Sequence, residues 1–233
     1  MSEILERLVA LEKRIKYVFK NKDNLVQAFT HRSYLNENKQ FELAHNERLE
    51  LLGDAVLELV TTEFLYNTYP DKTEGELTSI RAALVNTVSI AAAGKELGMG
   101  EYLLLSKGEA KDTGRARGVI LANTFEALVG AIYLDGGYKA AEKFLDHFLL
   151  DRVGEIVARS LWQDPKSVLQ AKAQEFEGKT PIYKTIRAVG PDHAKTFTVG
   201  VHIGDKLVSK GSGPSKQEAE QVAAKSALAL KKW

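Results

Sequence analysis

The 233-residue chain contains no cysteine. That absence excludes disulfide frameworks, Cys-rich zinc sites and thiolate nucleophiles together, and it fits a reducing, cytoplasmic setting. Long apolar runs are missing too, since no segment approaches the roughly 18 apolar residues of a membrane span. The first residues, MSEILERLVALEKRIKYVF, mix acids and bases in an amphipathic pattern and lack the uninterrupted apolar core of a secretory signal. Neither secretion nor membrane insertion is expected. There is no long internal repeat and no low-complexity run. What is present, 44% apolar and 27% charged residues, is the make-up of a globular protein large enough to bury a core without a metal or disulfide staple.

Net charge is also scarce, at +1 from 32 basic and 31 acidic side chains. The average hides two poles. Residues 1–155 hold 19 Lys+Arg against 24 Asp+Glu, net −5, whereas residues 156–233 hold 13 against 7, net +6. Two functions are therefore expected in two parts, 1–155 and 165–233, joined by a linker at 156–164.

The first part reads as all helix, because apolar residues recur at spacings of three and four between Gly, Pro and Asn clusters. Helices are expected near 3–15, 24–29, 45–69, 73–97, 101–107, 115–134 and 138–158. In the second part, Asp164-Pro165 opens a helix, and Gly and Pro then punctuate shorter segments. Residues 196–203, TFTVGVHI, alternate like a strand with one buried face, and 215–231 return to helix. The order α-β-β-β-α defines a small α+β domain with two helices on one face of an antiparallel sheet.

The segment HNERLELLGDAVLELV, residues 45–60, carries the most chemistry. At about 100° per residue from Glu47, Glu50 falls near 300°, Asp54 near 340° and Glu58 near 20°, so four acids share one stripe. Leu49, Leu51, Leu52, Ala55, Val56, Leu57, Leu59 and Val60 occupy most other directions, which predicts a central helix. Clustered, partly buried carboxylates need a counter-charge, either Arg or Lys or a divalent cation. A second apolar helix, ILANTFEALVGAIYLDGGY at 120–138, sets Asn123 and Glu126 on one face at i and i+3. Hard oxygen donors without Cys or well-placed His suit Mg²⁺ or Mn²⁺, and neither helix has the Glu-x-x-His pair of a di-iron bundle. His31 and His45 lack metal-ligand spacing and are read as capping or packing residues.

ERLELLGDAVLELV resembles the signature helix of ribonuclease III. THRSYLNEN (30–38), EGELTSIRAALVN (74–86) and ANTFEALVGAIYLDGGY (122–138) fit that family's other endonuclease segments in order and spacing. The resemblance implies an all-α endonuclease domain, a homodimer in bacterial enzymes, that cuts double-stranded RNA with divalent metal, leaving 5′-phosphate and 3′-hydroxyl ends with short 3′ overhangs. It further implies processing of rRNA precursors and structured mRNA in the cytoplasm. Position by position, Glu50, Asp54 and Glu126 match metal-binding carboxylates, Asp54 and Glu126 being the catalytic pair. Glu47 and Glu74 match supporting acids. Asn123 stands where the family usually has Asp, so the metal set Glu50, Asp54, Asn123 and Glu126 loses one charge. The alternative is accordingly a double-stranded RNA-binding protein whose cleavage is impaired or absent.

The second part is similar to a double-stranded RNA-binding domain, through SVLQAKAQEF (167–176) and GPSKQEAEQVAAKSAL (213–228). A-form RNA exposes 2′-hydroxyls in a shallow minor groove, so a rigid surface with spaced polar and basic groups reads duplex shape. The residues expected to meet RNA are Gln170 and Gln174 one turn apart, His193 in the 190–195 loop, and Lys216 at the start of the last helix. There the helix dipole also favours phosphate. Gln217 replaces a second basic residue common at that position.

Overall fold

A computed structural model describes residues 2–111, 113–191 and 195–233. His193, expected to meet RNA, lies outside the described residues. The chain divides into two compact units, Met1–Trp162 and Gln163–Trp233.

The first unit is helical. It comprises α1 (Ser2–Ile15), α2 (Lys22–Ala28), α3 (Arg32–Glu37), α4 (Glu47–Thr68), α5 (Glu74–Leu84), α6 (Thr87–Glu96), α7 (Arg115–Gly136), α8 (Tyr138–Phe148) and α9 (Val153–Ala158), with short 3₁₀ turns between some of them. α7 is the hub, packed against α2, α4, α6 and α8. From Ile120 to Ile132 every residue of α7 is buried except Asn123 and Glu126. This accounts for the segment Ala116–Gly136, which has the length and hydropathy to cross a membrane but is mostly buried inside the unit, as a core helix is.

Local chemistry explains where the helices depart from the periodicity. The helix expected at 73–97 is two helices. Thr73 opens α5 with a capping box to Glu76, and the Asn86 side chain accepts from Ser89 N at 3.0 Å, starting α6 afresh. Asn86 Nδ2 also donates to Ala83 O at 2.8 Å, closing α5. The helix expected at 101–107 is absent. Leu104 instead forms a parallel bridge with Thr30, donating its N–H to Phe29 O at 2.9 Å and accepting from His31 N at 3.1 Å. The helix expected at 138–158 breaks at Leu149 into α8, a 3₁₀ turn and α9. Residues 156–158, expected as linker, belong to α9, and Trp162 packs against the helical core with Lys72 Nζ 4.9 Å over its ring.

The second unit runs α10 (Pro165–Glu177), β1 (Pro181–Val189), β2 (Thr196–Ile203), β3 (Lys206–Gly213) and α11 (Lys216–Lys231). The sheet is antiparallel in the order β1-β2-β3, with a bulge between Thr185 and Arg187. Asp164 caps α10 ahead of Pro165, Gly178 ends it in the left-handed region at φ 64°, and Ser215 caps α11. Leu169 and Ala173 of α10, Val201 and Ile203 of β2, and Ala223, Ala224 and Ala227 of α11 form its core.

Candidate active site

The acidic stripe owes its position to two glycines. A Cβ on Gly53 would lie 1.7 Å from Glu126 O, and one on Gly130 would lie 2.3 Å from Leu49 O. Only glycine at both positions lets the backbones of α4 and α7 touch, which brings Glu50 and Asp54 alongside Asn123 and Glu126. A mid-helix glycine on an apolar face was the available signal, visible in LLGDA and LVGAI. A single sequence does not reveal which two helices meet there.

The structure sorts the four stripe acids by counter-charge. At one end Arg32 Nη1 lies 3.4 Å from Glu47, with His45 Nδ1 at 3.8 Å. At the other end Arg81 Nε lies 3.2 Å from Glu58, while its Nη1 donates to the Thr62 hydroxyl at 2.8 Å. Glu50, Asp54 and Glu126, between these clamps, have no basic partner among the described residues. The two sources of counter-charge left open by the sequence therefore divide the stripe, arginine holding its ends and its centre remaining open to a cation.

That centre is electrostatically loaded. Burial, then Asp54 and Glu50, push the Glu126 carboxyl up to about 7. Glu50 is raised too, by burial first and then by Glu47, while a hydrogen bond from the Asn123 side chain pulls it down. Asn123 thus acts on Glu50 as a donor, where an aspartate would add repulsion. Among the described residues no three His, Asp or Glu side chains are drawn together as a finished metal cage. The donor set nevertheless fits a hard divalent cation, with three mutually repelling carboxylates and one amide brought together by α4 and α7.

Of the other expected residues, Glu74 is exposed at the first position of α5, where it accepts from the Thr78 hydroxyl at 3.0 Å. His31 caps α3, its Nδ1 accepting from Ser33 N at 3.3 Å, and burial lowers its pKa. In the second unit Gln170 and Gln174 are exposed on one side of α10, and Lys216 is exposed at the first position of α11. Arg32 and Arg81 were missed by sequence reasoning because their partners are supplied by helix packing.

An all-helical unit that opens a carboxylate cluster between two core helices, followed by a basic α-β-β-β-α unit, defines a nuclease joined to an RNA-binding module. Residues 21–153 match the family model described as ribonuclease-III-like, and residues 165–231 match the double-stranded RNA binding motif. The chain is 45% identical over 228 residues to ribonuclease 3 of Desulforamulus reducens, covering 98% of this chain and 93% of that protein. It is 47% identical over 219 residues to ribonuclease 3 of Streptococcus thermophilus, covering 94% and 95% respectively. A solved structure of the nuclease domain of ribonuclease III from Campylobacter jejuni superposes with a TM-score of 0.54 at 38% identity, covering 59% of this chain and 92% of that domain. The chain belongs to the ribonuclease III family and is an endoribonuclease with a double-stranded RNA-binding motif.

Proposed function

We propose that this endoribonuclease is divalent-metal-dependent and cuts both strands of duplex RNA, leaving 5′-phosphate and 3′-hydroxyl ends with short 3′ overhangs. The observation that carries this reading is the unpaired centre of the stripe, Glu50, Asp54 and Glu126, with Glu126 raised to about 7. These three carboxylates and the Asn123 carbonyl hold Mg²⁺, with Mn²⁺ as a substitute, and a cation there supplies Lewis acidity toward the scissile phosphate. Asp54 and Glu126 are the catalytic carboxylates. The burial and mutual repulsion that raise Glu126 are what a bound cation would relieve. Glu47, held by Arg32, and Glu74 support the site from its rim.

Gln170, Gln174, His193 and Lys216 are the proposed RNA contacts, the glutamines toward the minor groove and Lys216 toward phosphate. One carboxylate centre addresses one strand, so cutting a duplex calls for a homodimer. Supporting this, α4 leaves Leu51, Leu59 and Tyr66 exposed at 75%, 57% and 72% along one stripe. Beside Leu51 is a hollow of about 650 Å³ lined by Arg48, Leu49, Leu52, Ala55 and Leu134. The solved Campylobacter jejuni nuclease domain is likewise described as having a region involved in dimer formation. The proposed division is a nuclease domain ending at Trp162 and an RNA-binding domain from Gln163 to Trp233, acting on rRNA precursors and structured mRNA in the cytoplasm.

The test is an end-labelled RNA duplex incubated with and without Mg²⁺, for this chain and for Asn123→Asp. Discrete products that require Mg²⁺ and carry 5′-phosphates are expected from both. The half-activating Mg²⁺ concentration of Asn123→Asp should be several-fold lower, because the substitution restores a fourth charge. Superimposable titrations would remove the role given to Asn123, and binding without products would leave an RNA-binding protein only.

A further inference from the structure

The β1-β2-β3 sheet has one covered face and one bare face. Val199, Val201 and Ile203 of β2 point toward α10 and α11 and are buried. Alternation sends Thr198, Gly200 and His202 to the other side. Register adds Ile182 opposite His202, Lys184 opposite Gly200 on one flank, and Lys210 opposite Gly200 on the other. A Cβ on Gly200 would lie 2.7 Å from Leu207 Cδ1 and 2.8 Å from Ile186 Cδ1, so these two side chains fold over the glycine from both neighbouring strands. Ile182, Ile186 and Leu207 nonetheless remain 53%, 49% and 39% exposed. His202 Nδ1 lies buried among them without a hydrogen-bond partner.

The surrounding charge has one sign. None of the three strands contains Asp or Glu, and Lys184 and Lys210 have no acidic partner among the described residues. Asp205, in the turn between β2 and β3, is the nearest acid along the sequence.

We infer that this bare face docks an acidic protein segment bearing aliphatic side chains, which pack on Ile182, Ile186 and Leu207 while its carboxylates meet Lys184 and Lys210. An aliphatic strip of this kind, rimmed by charge, has the make-up of an interaction surface. Duplex RNA does not fit it, because a phosphate backbone gains nothing from aliphatic groups, and the face offers no Phe, Tyr or Trp for base stacking. A second copy of the same face brings lysine against lysine, which is repulsive. Gln170 and Gln174 lie on α10, on the covered side, so RNA and the acidic partner can be held together.

The probe is a fluorescein-labelled synthetic peptide of alternating Glu and Leu, titrated with the full-length protein and followed by anisotropy. A peptide of alternating Lys and Leu is the control. The acidic peptide should bind at least about tenfold more tightly than the control. Ile186→Ser/Leu207→Ser should weaken it by a similar factor while leaving duplex RNA affinity within about twofold. Lys184→Glu/Lys210→Glu, which removes no packing, should weaken the acidic peptide and improve the control. Equal binding of both peptides, or binding indifferent to both double variants, overturns the inference. It is also overturned if Ile186→Ser/Leu207→Ser costs RNA affinity or abolishes self-association. The same holds if the face responds only to vesicles of anionic phospholipid.

Discussion

Glu126 shows how the electrostatics of the candidate site bear on stability. Its pKa is about 7 in the folded state against an ordinary 4.5. Between these values the folded state holds the proton more tightly than the unfolded chain does. Its contribution to stability is therefore present at low pH and is lost as pH rises toward and through 7. Without divalent metal, Glu126→Gln should stabilise the protein at pH 7.5 by about 1–2 kcal/mol after allowance for solvent screening, with little effect near pH 5. Urea denaturation of both proteins in a chelator, at the two pH values, checks this. Cleavage should be lost in the same variant. Asn123 sits in the same field, and its hydrogen bond to Glu50 eases a repulsion that an aspartate would increase. The cost of that relief is one fewer anionic oxygen for a cation.

Among the elements, the contact between α4 and α7 decides whether a site exists at all. Gly130→Ala puts a methyl group into the backbone of α4 at Leu49, where no side chain can swing aside. It should destabilise the helical unit by about 3 kcal/mol or more and abolish cleavage, as measured by urea denaturation alongside product assays. Because the two units have separate cores, duplex RNA binding should outlast the loss of cleavage. For α11 the relevant quantity is electrostatic. Lys216 stands exposed at a Ser215-capped helix start. Lys216→Ala should weaken duplex binding and lower the slope of log affinity against log salt by about 1. An unchanged slope would give this helix end another role. The elements also differ in how plainly the sequence announced them. α4 and α7 stood out through apolar periodicity and clustered acids. The split of 74–96 was hidden in one residue, Asn86, whose side chain caps α6 while satisfying the last carbonyls of α5. The extended segment at Leu104 was hidden altogether, since an apolar run such as Tyr102-Leu103-Leu104-Leu105 looks the same to a helix and to a bridge.

For the whole molecule, the open question is which surfaces are finished. α4 looked central from its composition, yet Leu51, Ala55 and Leu59 remain exposed in the single chain. In the proposed homodimer a second subunit would bury them. Leu51→Glu should therefore shift the protein from dimer to monomer in sedimentation velocity. It should also turn coupled double-strand cutting into slow nicking, resolved on denaturing against native gels.

The charge poles, the α-then-α-β-β-β-α order and the clustering of acids on the helix at 45–60 were legible in the sequence alone, because charge, periodicity and side-chain chemistry are local properties. The shortage of net charge came from two units of opposite sign. Only the tertiary structure decided which acids are available. Glu47 and Glu58 are held by Arg32 and Arg81, from α3 and α5, while the Gly53–Gly130 contact faces Glu50 and Asp54 with Asn123 and Glu126. Electrostatic partners and close backbone approaches are set by which helices pack together, and that depends on distances between residues far apart in the chain.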